Sequence, residues 1–285
     1  MFKNNPFLSL IFKDKTGLIG LIILVAIILM SFLGPYLIPL DNEVKLNEIY
    51  QTPSWHHLLG TDNQGRDIFS QIVHGGRDVL MVAILTGLLS TILAFIVGAL
   101  AGFFGGKLDA FLMWIVDIIL TIPRFPILAV VAAFITLSSV YLLSGLLAIL
   151  SWPALARAIR SMVLSIKTRE YIESAKVLDL GTSHIMFREI LPNMLGYIVI
   201  NFIFAMTAAV YSQVGLIFLG LIPLAGQNWG LMIQLAWTRG AIFYPGSLSY
   251  ILSPIIIIAL FQWSAISFTR SLETVFNPRL RGREA

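Results

Sequence analysis

The chain has 285 residues, of which 58% are hydrophobic and only 12% charged, with a formal net charge of +4 and no cysteine. A mean hydropathy of +0.88 excludes a soluble globular domain and places the chain in lipid. The missing cysteine excludes a disulfide framework and thiolate metal sites.

Five charge-free runs, at 16–40, 79–106, 125–156, 194–238 and 240–269, define the membrane segments. A spanning helix needs roughly 20 apolar residues, so the first, second and last runs each hold one helix. The third run is too long for one span and is broken at Thr136, Ser138 and Ser139; the fourth ends in a polar, turn-rich stretch at 223–228. The expected fold is therefore all-α, one transmembrane domain with six helices at about 17–39, 79–105, 110–135, 140–159, 195–222 and 248–269. A loop at 41–78 lies on one side and a charged segment at 160–193 on the other. A cleaved signal peptide is the competing reading of the start, but the apolar run exceeds a 7–15-residue signal core and lacks a small-x-small site.

Orientation follows from basic residues, which short loops retain on the cytoplasmic side. With both termini inside, Lys3, Lys13, Lys15, Lys107, the six basic residues of 157–188, and Arg270, Arg279, Arg281 and Arg283 are cytoplasmic. Only Lys45, Arg66, Arg77 and Arg239 lie outside, with Arg124 at membrane depth. Topology thus accounts for the positive charge, and no nucleic-acid partner is needed.

In helix two, Ser90, Ala94, Gly98, Gly102 and Gly106 recur every four residues. Such a ridge lets helix backbones approach closely in lipid; a ridge that slides during transport is the alternative. Glycines at 102–106 lack the spacing and the Ser or Thr of a phosphate loop, and neither an H-E-x-x-H pair nor a G-x-S-x-G elbow occurs. Adjacent His56 and His57 have no carboxylate or cysteine cluster to complete a metal site, so a surface or packing role is set against metal binding. In helix three Asp117 and Arg124 are seven residues apart, near one face, and each costs about 2.5–3.5 kcal/mol at the bilayer centre. Either they line a cavity or they form a buried pair or anchor, with Pro123 and Pro126 bending the helix between and after them.

The segment 157–178 carries charges every few residues, yet Ile166, Tyr171, Ile172, Ala175 and Leu178 leave an apolar side. Asp179, Leu180 and Gly181 supply a turn, and a second short helix over about 184–191 offers Ile185, Met186 and Ile190 before Pro192 ends it. Such a pair either docks in a protein groove or lies as a solvated or interfacial element.

Glu173-Ser174-Ala175, a turn glycine and the distal Ile190-Leu191-Pro192 resemble the Glu-Ala-Ala coupling loop of ABC importer permeases. The stretches 57–70 (HLLGTDNQGRDIFS) and 102–109 (GFFGGKLD), Asp117 with Pro123, Trp152-Pro153 with Arg157, Asn228-Trp229-Gly230 and Asn277-Pro278-Arg279 resemble the dipeptide, oligopeptide and nickel permease family. The likeness runs from the first helix to the carboxyl terminus and is strongest to the second permease of the heterodimer. Ser174 stands where the family has Ala, Glu189 replaces a distal Ile, and Asp179 occupies the usual Gly position with the glycine displaced to Gly181; Arg124 replaces an apolar or small residue. Asp tolerates a left-handed turn, so docking is expected to survive.

The resemblance implies a type I importer permease in a bacterial or archaeal cell membrane, with residues 160–193 as coupling loop. Its implied partners are a homologous second permease, two ABC ATPase subunits, an extracytoplasmic solute-binding protein touching 42–78 and 225–245, and membrane lipid. ATP and magnesium would reside on the ATPases, with no cofactor or catalytic residue in this chain. Asp117, Arg124, Asn201, Gln213 and Gln262 are the expected translocation-path residues, with Ser212 and Ser264 as further neutral groups. Trp229, Trp237 and Trp263 either stack on a sugar or anchor at the interface. Peptide, short oligosaccharide and nickel stay open as substrates. The rival class is an ion-coupled secondary transporter, which would show an inverted repeat not seen in this chain.

Overall fold

The computed structural model describes residues 14–135, 137, 139–222 and 226–276. Thus Lys3, Lys13, Thr136, Ser138, residues 223–225 and the Asn277-Pro278-Arg279 motif with the arginines beyond it lie outside the described residues. Among the described residues nine α-helices follow in order: α1 (Lys15–Leu37), α2 (Ile68–Phe104), α3 (Gly106–Thr121), α4 (Arg124–Phe134), α5 (Val140–Ile166), α6 (Glu170–Val177), α7 (Thr182–Phe218), α8 (Trp229–Thr238) and α9 (Leu248–Phe276). Among the described residues the extended structure is limited to one isolated bridge between Thr61 and Asp67. Lipid cannot hydrogen-bond a free backbone, and helices satisfy their own.

Among the described residues five helices, α1, α2, α5, α7 and α9, are long and apolar enough to span. A sixth span exists only as the pair α3 and α4, bent by 82° between them. The all-α membrane fold read from composition is therefore present, but several bounds differ. Instead of starting near 79, α2 starts at Ile68, because Asp67 caps it by accepting from the Ser70 N–H at 2.7 Å. His74, Arg77 and Asp78 interrupt the apolar run without interrupting the helix, so the last eleven residues of the expected 41–78 loop are helical. Past 159, α5 continues to Ile166, carried by ion pairs described below. The expected helix at 184–191 is not separate: it is the first part of α7, which runs unbroken into the membrane span.

At the centre lies α2, packed against α1, α5 and α7. Its small-residue ridge meets α5. A methyl group at Gly98 would lie 2.4 Å from the Ala156 carbonyl oxygen and 2.9 Å from Ile159, and one at Gly102 would lie 2.9 Å from the Arg160 carbonyl. Gly106 does not extend the ridge. With Gly105 it forms the α2–α3 turn, at φ +68° and +59°, where a side chain would be strained.

Buried side-chain N–H groups link the other helices to α2 and to each other. Gln213 of α7 donates to the Val79 carbonyl at 2.9 Å, Trp229 of α8 to the Ile72 carbonyl at 2.9 Å, and Gln262 of α9 to the Thr207 carbonyl at 3.1 Å. Interhelical bonds of this kind contribute roughly 0.6 kcal/mol each in lipid.

Overpacking a close helix contact costs about 1–3 kcal/mol. Gly98→Leu is expected to lower the thermal midpoint of the detergent-purified protein clearly. Gly145→Ala, on α5 with no atom within 4 Å of the added carbon, should leave it unchanged or raise it. Fluorescence-monitored melting of both variants checks this contrast.

Candidate functional site

At the end of the molecule where α2 finishes, α5 carries cations that bind it to α2 and α3. Arg160 pairs bidentately with Asp109 of α3, at 2.5 and 2.6 Å, and Arg157 pairs with Asp117. Lys167 donates to the Gly102 carbonyl at 2.8 Å, neutralising the negative end of α2. These contacts fix α5 and hence the start of α6.

A Schellman turn ends α6: the Asp179 N–H bonds to the Lys176 carbonyl at 3.0 Å and the Leu180 N–H to the Ala175 carbonyl at 3.2 Å. Asp179 has φ +50°, the left-handed conformation usually left to glycine, so the acid replaces glycine with the same backbone geometry. Gly181, at φ +75°, then starts α7.

The expected apolar side of this pair is divided: Ile172, Ala175, Ile185, Met186 and Ile190 are buried in one cluster with Ala156, Ile159, Val163 and Met194, whereas Tyr171 and Leu178 face outward. Lys176 lies over the Phe103 ring at 6.0 Å and closes that contact. Facing outward are Glu173, Ser174, Asp179, Gly181 and Pro192, together with Tyr171, Val177 (86% exposed), Leu178 (70%) and Phe187. Leu191 is half-buried.

A π-helical turn occupies Ile185–Ile190, with the Leu191 N–H bonded to the Met186 carbonyl. Pro192 explains it. In an ordinary α-helix the proline ring would collide with the Arg188 carbonyl and leave it without a donor; widening the preceding turn removes the collision. The Asn193 side-chain amide donates to the Glu189 carbonyl at 2.6 Å, one turn back. Pro192, the eleventh residue of α7, is the sequence signal for this turn.

The expected path residues do not converge. Asp117 pairs with Arg157 rather than Arg124, and both are exposed. Arg124 begins α4 beyond the 82° bend, so the shared face inferred from continuous helix is absent. Pro123 precedes the first turn and Pro126 lies within it, where a missing N–H costs nothing. Gln213 and Gln262 are buried among helices, as are Ser264 and Trp229, while Trp237 and Trp263 are exposed. Ser212 is half-buried and donates to the Ala208 carbonyl at 2.9 Å. Asn201 alone of the five lines an open groove, of about 750 Å³, between α5, α7 and the end of α9.

At the opposite end, the stretch 57–70 folds around Asp62, which is fully buried. One carboxylate oxygen accepts from the Gln64 and Arg66 backbone N–H groups at 2.7 and 3.0 Å. The other accepts from Arg66 Nε at 2.9 Å and Gln71 Nε2 at 2.9 Å. Gly65 is required here: at φ +76°, an added carbon would lie 2.1 Å from the Lys45 carbonyl oxygen. His57 sits 3.1 Å from Asp67 and 3.7 Å from Glu48, which holds it in the clamp, and His56 is exposed. Tyr50 stacks on Tyr244 at 5.4 Å, tying the clamp to the loop before α9, and burial pushes its phenol pKa up. Motif order had marked this stretch, but not Asp62 as its hub.

Comparison with known proteins finds that the family described as binding-protein-dependent transport system inner membrane component matches residues 94–282. The N-terminal transmembrane domain of oligopeptide transport permease C matches residues 8–53. The oligopeptide transport system permease OppC of Bacillus subtilis is 30% identical over 277 residues, covering 94% of this chain and 87% of its own. The dipeptide transport system permease DppC of the same organism is 32% identical over 224 residues, covering 77% and 69%. OppC of Mycobacterium tuberculosis is 30% identical over 210 residues, covering 73% and 72%.

The left-handed Asp179 yields a direct test. A β-branched residue there costs roughly 1–2 kcal/mol or more, whereas glycine costs nothing sterically. Hydrogen exchange should show the Asp179 and Leu180 amides exchanging about tenfold faster in Asp179→Val. In Asp179→Gly, the position-180 amide should stay as protected as in the parent.

Proposed function

This chain belongs to the family of binding-protein-dependent transport system inner membrane components, and on that premise we propose that it is the second permease of a heterodimeric peptide importer, docked through α6 onto an ATPase. As a member it is a multi-pass permease subunit of an ABC importer in the inner membrane. It works with ATPase and binding-protein partners and is a transport subunit rather than an enzyme.

The observation that carries the docking assignment is the division of the α6–α7 corner into two faces. Ile172, Ala175, Ile185 and Ile190 anchor it to the chain's own core, while Glu173, Val177 and Leu178 project from the end. An apolar tip beside a carboxylate is what a protein groove recognises, and a tip anchored from behind transmits displacement instead of deforming. One ATPase seats here and a second on the homologous permease. ATP and magnesium belong to those subunits, and their closure moves α6 with α5 and α7, alternating access between the two sides.

Both termini lie in the cytoplasm in this reading, supported by the basic residues around α5 and α6 and the sparse ones around the Asp62 clamp. The clamp faces outward, and with 226–245 it forms the platform for the solute-binding protein. Peptide is the favoured substrate: the named relatives transport peptides, and burial of Trp229 removes one of three rings that a sugar would have stacked on.

The test is coexpression with the neighbouring transport genes, reconstitution in lipid, and ATPase measurement with and without the binding protein. Stimulation of several-fold is expected in the parent, and Glu173→Lys should abolish it while membrane insertion and clamp stability are retained. Solute accumulation by this chain alone, driven by an ion gradient with no ATPase copurifying, would overturn the assignment in favour of a secondary transporter.

A further inference from the structure

The groove between α5, α7 and α9 has a lining of one chemical sense. Its volume of about 750 Å³ lies within the roughly 300–1,000 Å³ of small-molecule sites. Met162, Tyr197 and Phe204 form apolar walls, and the polar groups are Asn193, Asn201, Glu273 and the Tyr197 hydroxyl. No lysine, arginine or histidine is among the described residues that line it.

The two carboxamides are oriented by their own helix. Asn193 donates to the Glu189 carbonyl at 2.6 Å and Asn201 to the Tyr197 carbonyl at 2.9 Å, each four residues back. Only the NH2 end can make those bonds, so the amide oxygens are left as acceptors. The Glu273 side chain is exposed and makes no ion pair or hydrogen bond with a described residue. Two carbonyl oxygens and a carboxylate, with no internal cation, stabilise an entering group that carries positive charge and N–H donors and repel an anion.

We infer that this groove is an amine-recognising vestibule on the translocation path, in which Glu273 holds the ammonium of a peptide's free amino terminus while Asn193 and Asn201 accept from its N–H groups. The assignment to a path rests on the permease reading above; the preference for a cation does not. Along α7 the groove extends over residues 192–204, roughly 18 Å at 1.5 Å per residue, long enough for a short peptide lying along the helix.

The chain contains no cysteine, so a single one can report on the groove. In the assembled importer bearing Phe204→Cys, a cationic methanethiosulfonate should react about tenfold faster than an anionic one, each normalised to its rate with a free thiol. Adding Glu273→Gln should bring that ratio close to one. Trialanine added directly, without binding protein, should slow the modification, and N-acetyl-trialanine should not. Met162→Cys serves as a second reporter if Phe204→Cys does not assemble. Equal rates for the two probes, an unchanged ratio in Glu273→Gln, or equal protection by both peptides would overturn the inference. So would slowing by phosphatidylethanolamine in nanodiscs without slowing by trialanine, which would assign the ammonium to a lipid headgroup. ATP-driven peptide uptake by the same preparation is measured in parallel. Its absence, with probe preference and protection intact, would remove the importer reading and leave the amine site standing.

Discussion

The architecture of the α6 end depends on how closely α5 can lie against α2. At Gly98 and Gly102 the α5 backbone comes within van der Waals range of α2 with nothing between. In lipid there is no hydrophobic drive to press helices together, so proximity has to come from side chains that are absent. That approach brings Arg160 within reach of Asp109 and Lys167 within reach of the Gly102 carbonyl. Were α5 pushed out, both cations would lose their partners together, and α6 would lose the support from which it projects.

Each end of the molecule is held by a carboxylate and a guanidinium, but the two locks differ in kind. Asp62 and Arg66 are four residues apart and close a local loop, with Gln71 and two backbone amides completing the shell. Asp109 and Arg160 are 51 residues apart and join two helices. The first preserves the shape of a surface. The second fixes the angle at which one helix leaves the bundle.

Composition and charge-free runs were enough to read a helical membrane domain, because the cost of unsatisfied backbone and charge in lipid leaves so few alternatives. Ordered motifs were enough to read the family, and the ridge through Gly98 and Gly102 was enough to read a tight contact. Pairings across the sequence were not readable: nothing local says that Asp117 meets Arg157 instead of Arg124. Polar residues within spans were the other blind spot. Gln213 and Gln262 suit a solute path as well as they suit helix-to-helix bonding, and only their burial against Val79 and Thr207 separates the two. Periodicity alone also located an apolar side on α6 without telling whether it faced the chain's own core or a partner. Asn201 was legible as a polar group in a span, but Glu273 was not, because it follows the last apolar run and looks like an ordinary surface acid.

The widened turn at Ile185–Ile190 has a mechanical consequence. Beyond it, Leu191–Phe218 is 28 residues of uninterrupted helix, roughly 42 Å at 1.5 Å per residue. A rod of that length pivoting at one end by about 5° carries its far tip nearly 4 Å, close to the width of an extended peptide backbone. Because Pro192 has no backbone N–H to give, a pivot at this turn would lie at the near end of α7, beside the α6 corner, with the long arm running along the bundle. Small motions at the α6 corner would then be enlarged by leverage before they reach the opposite side.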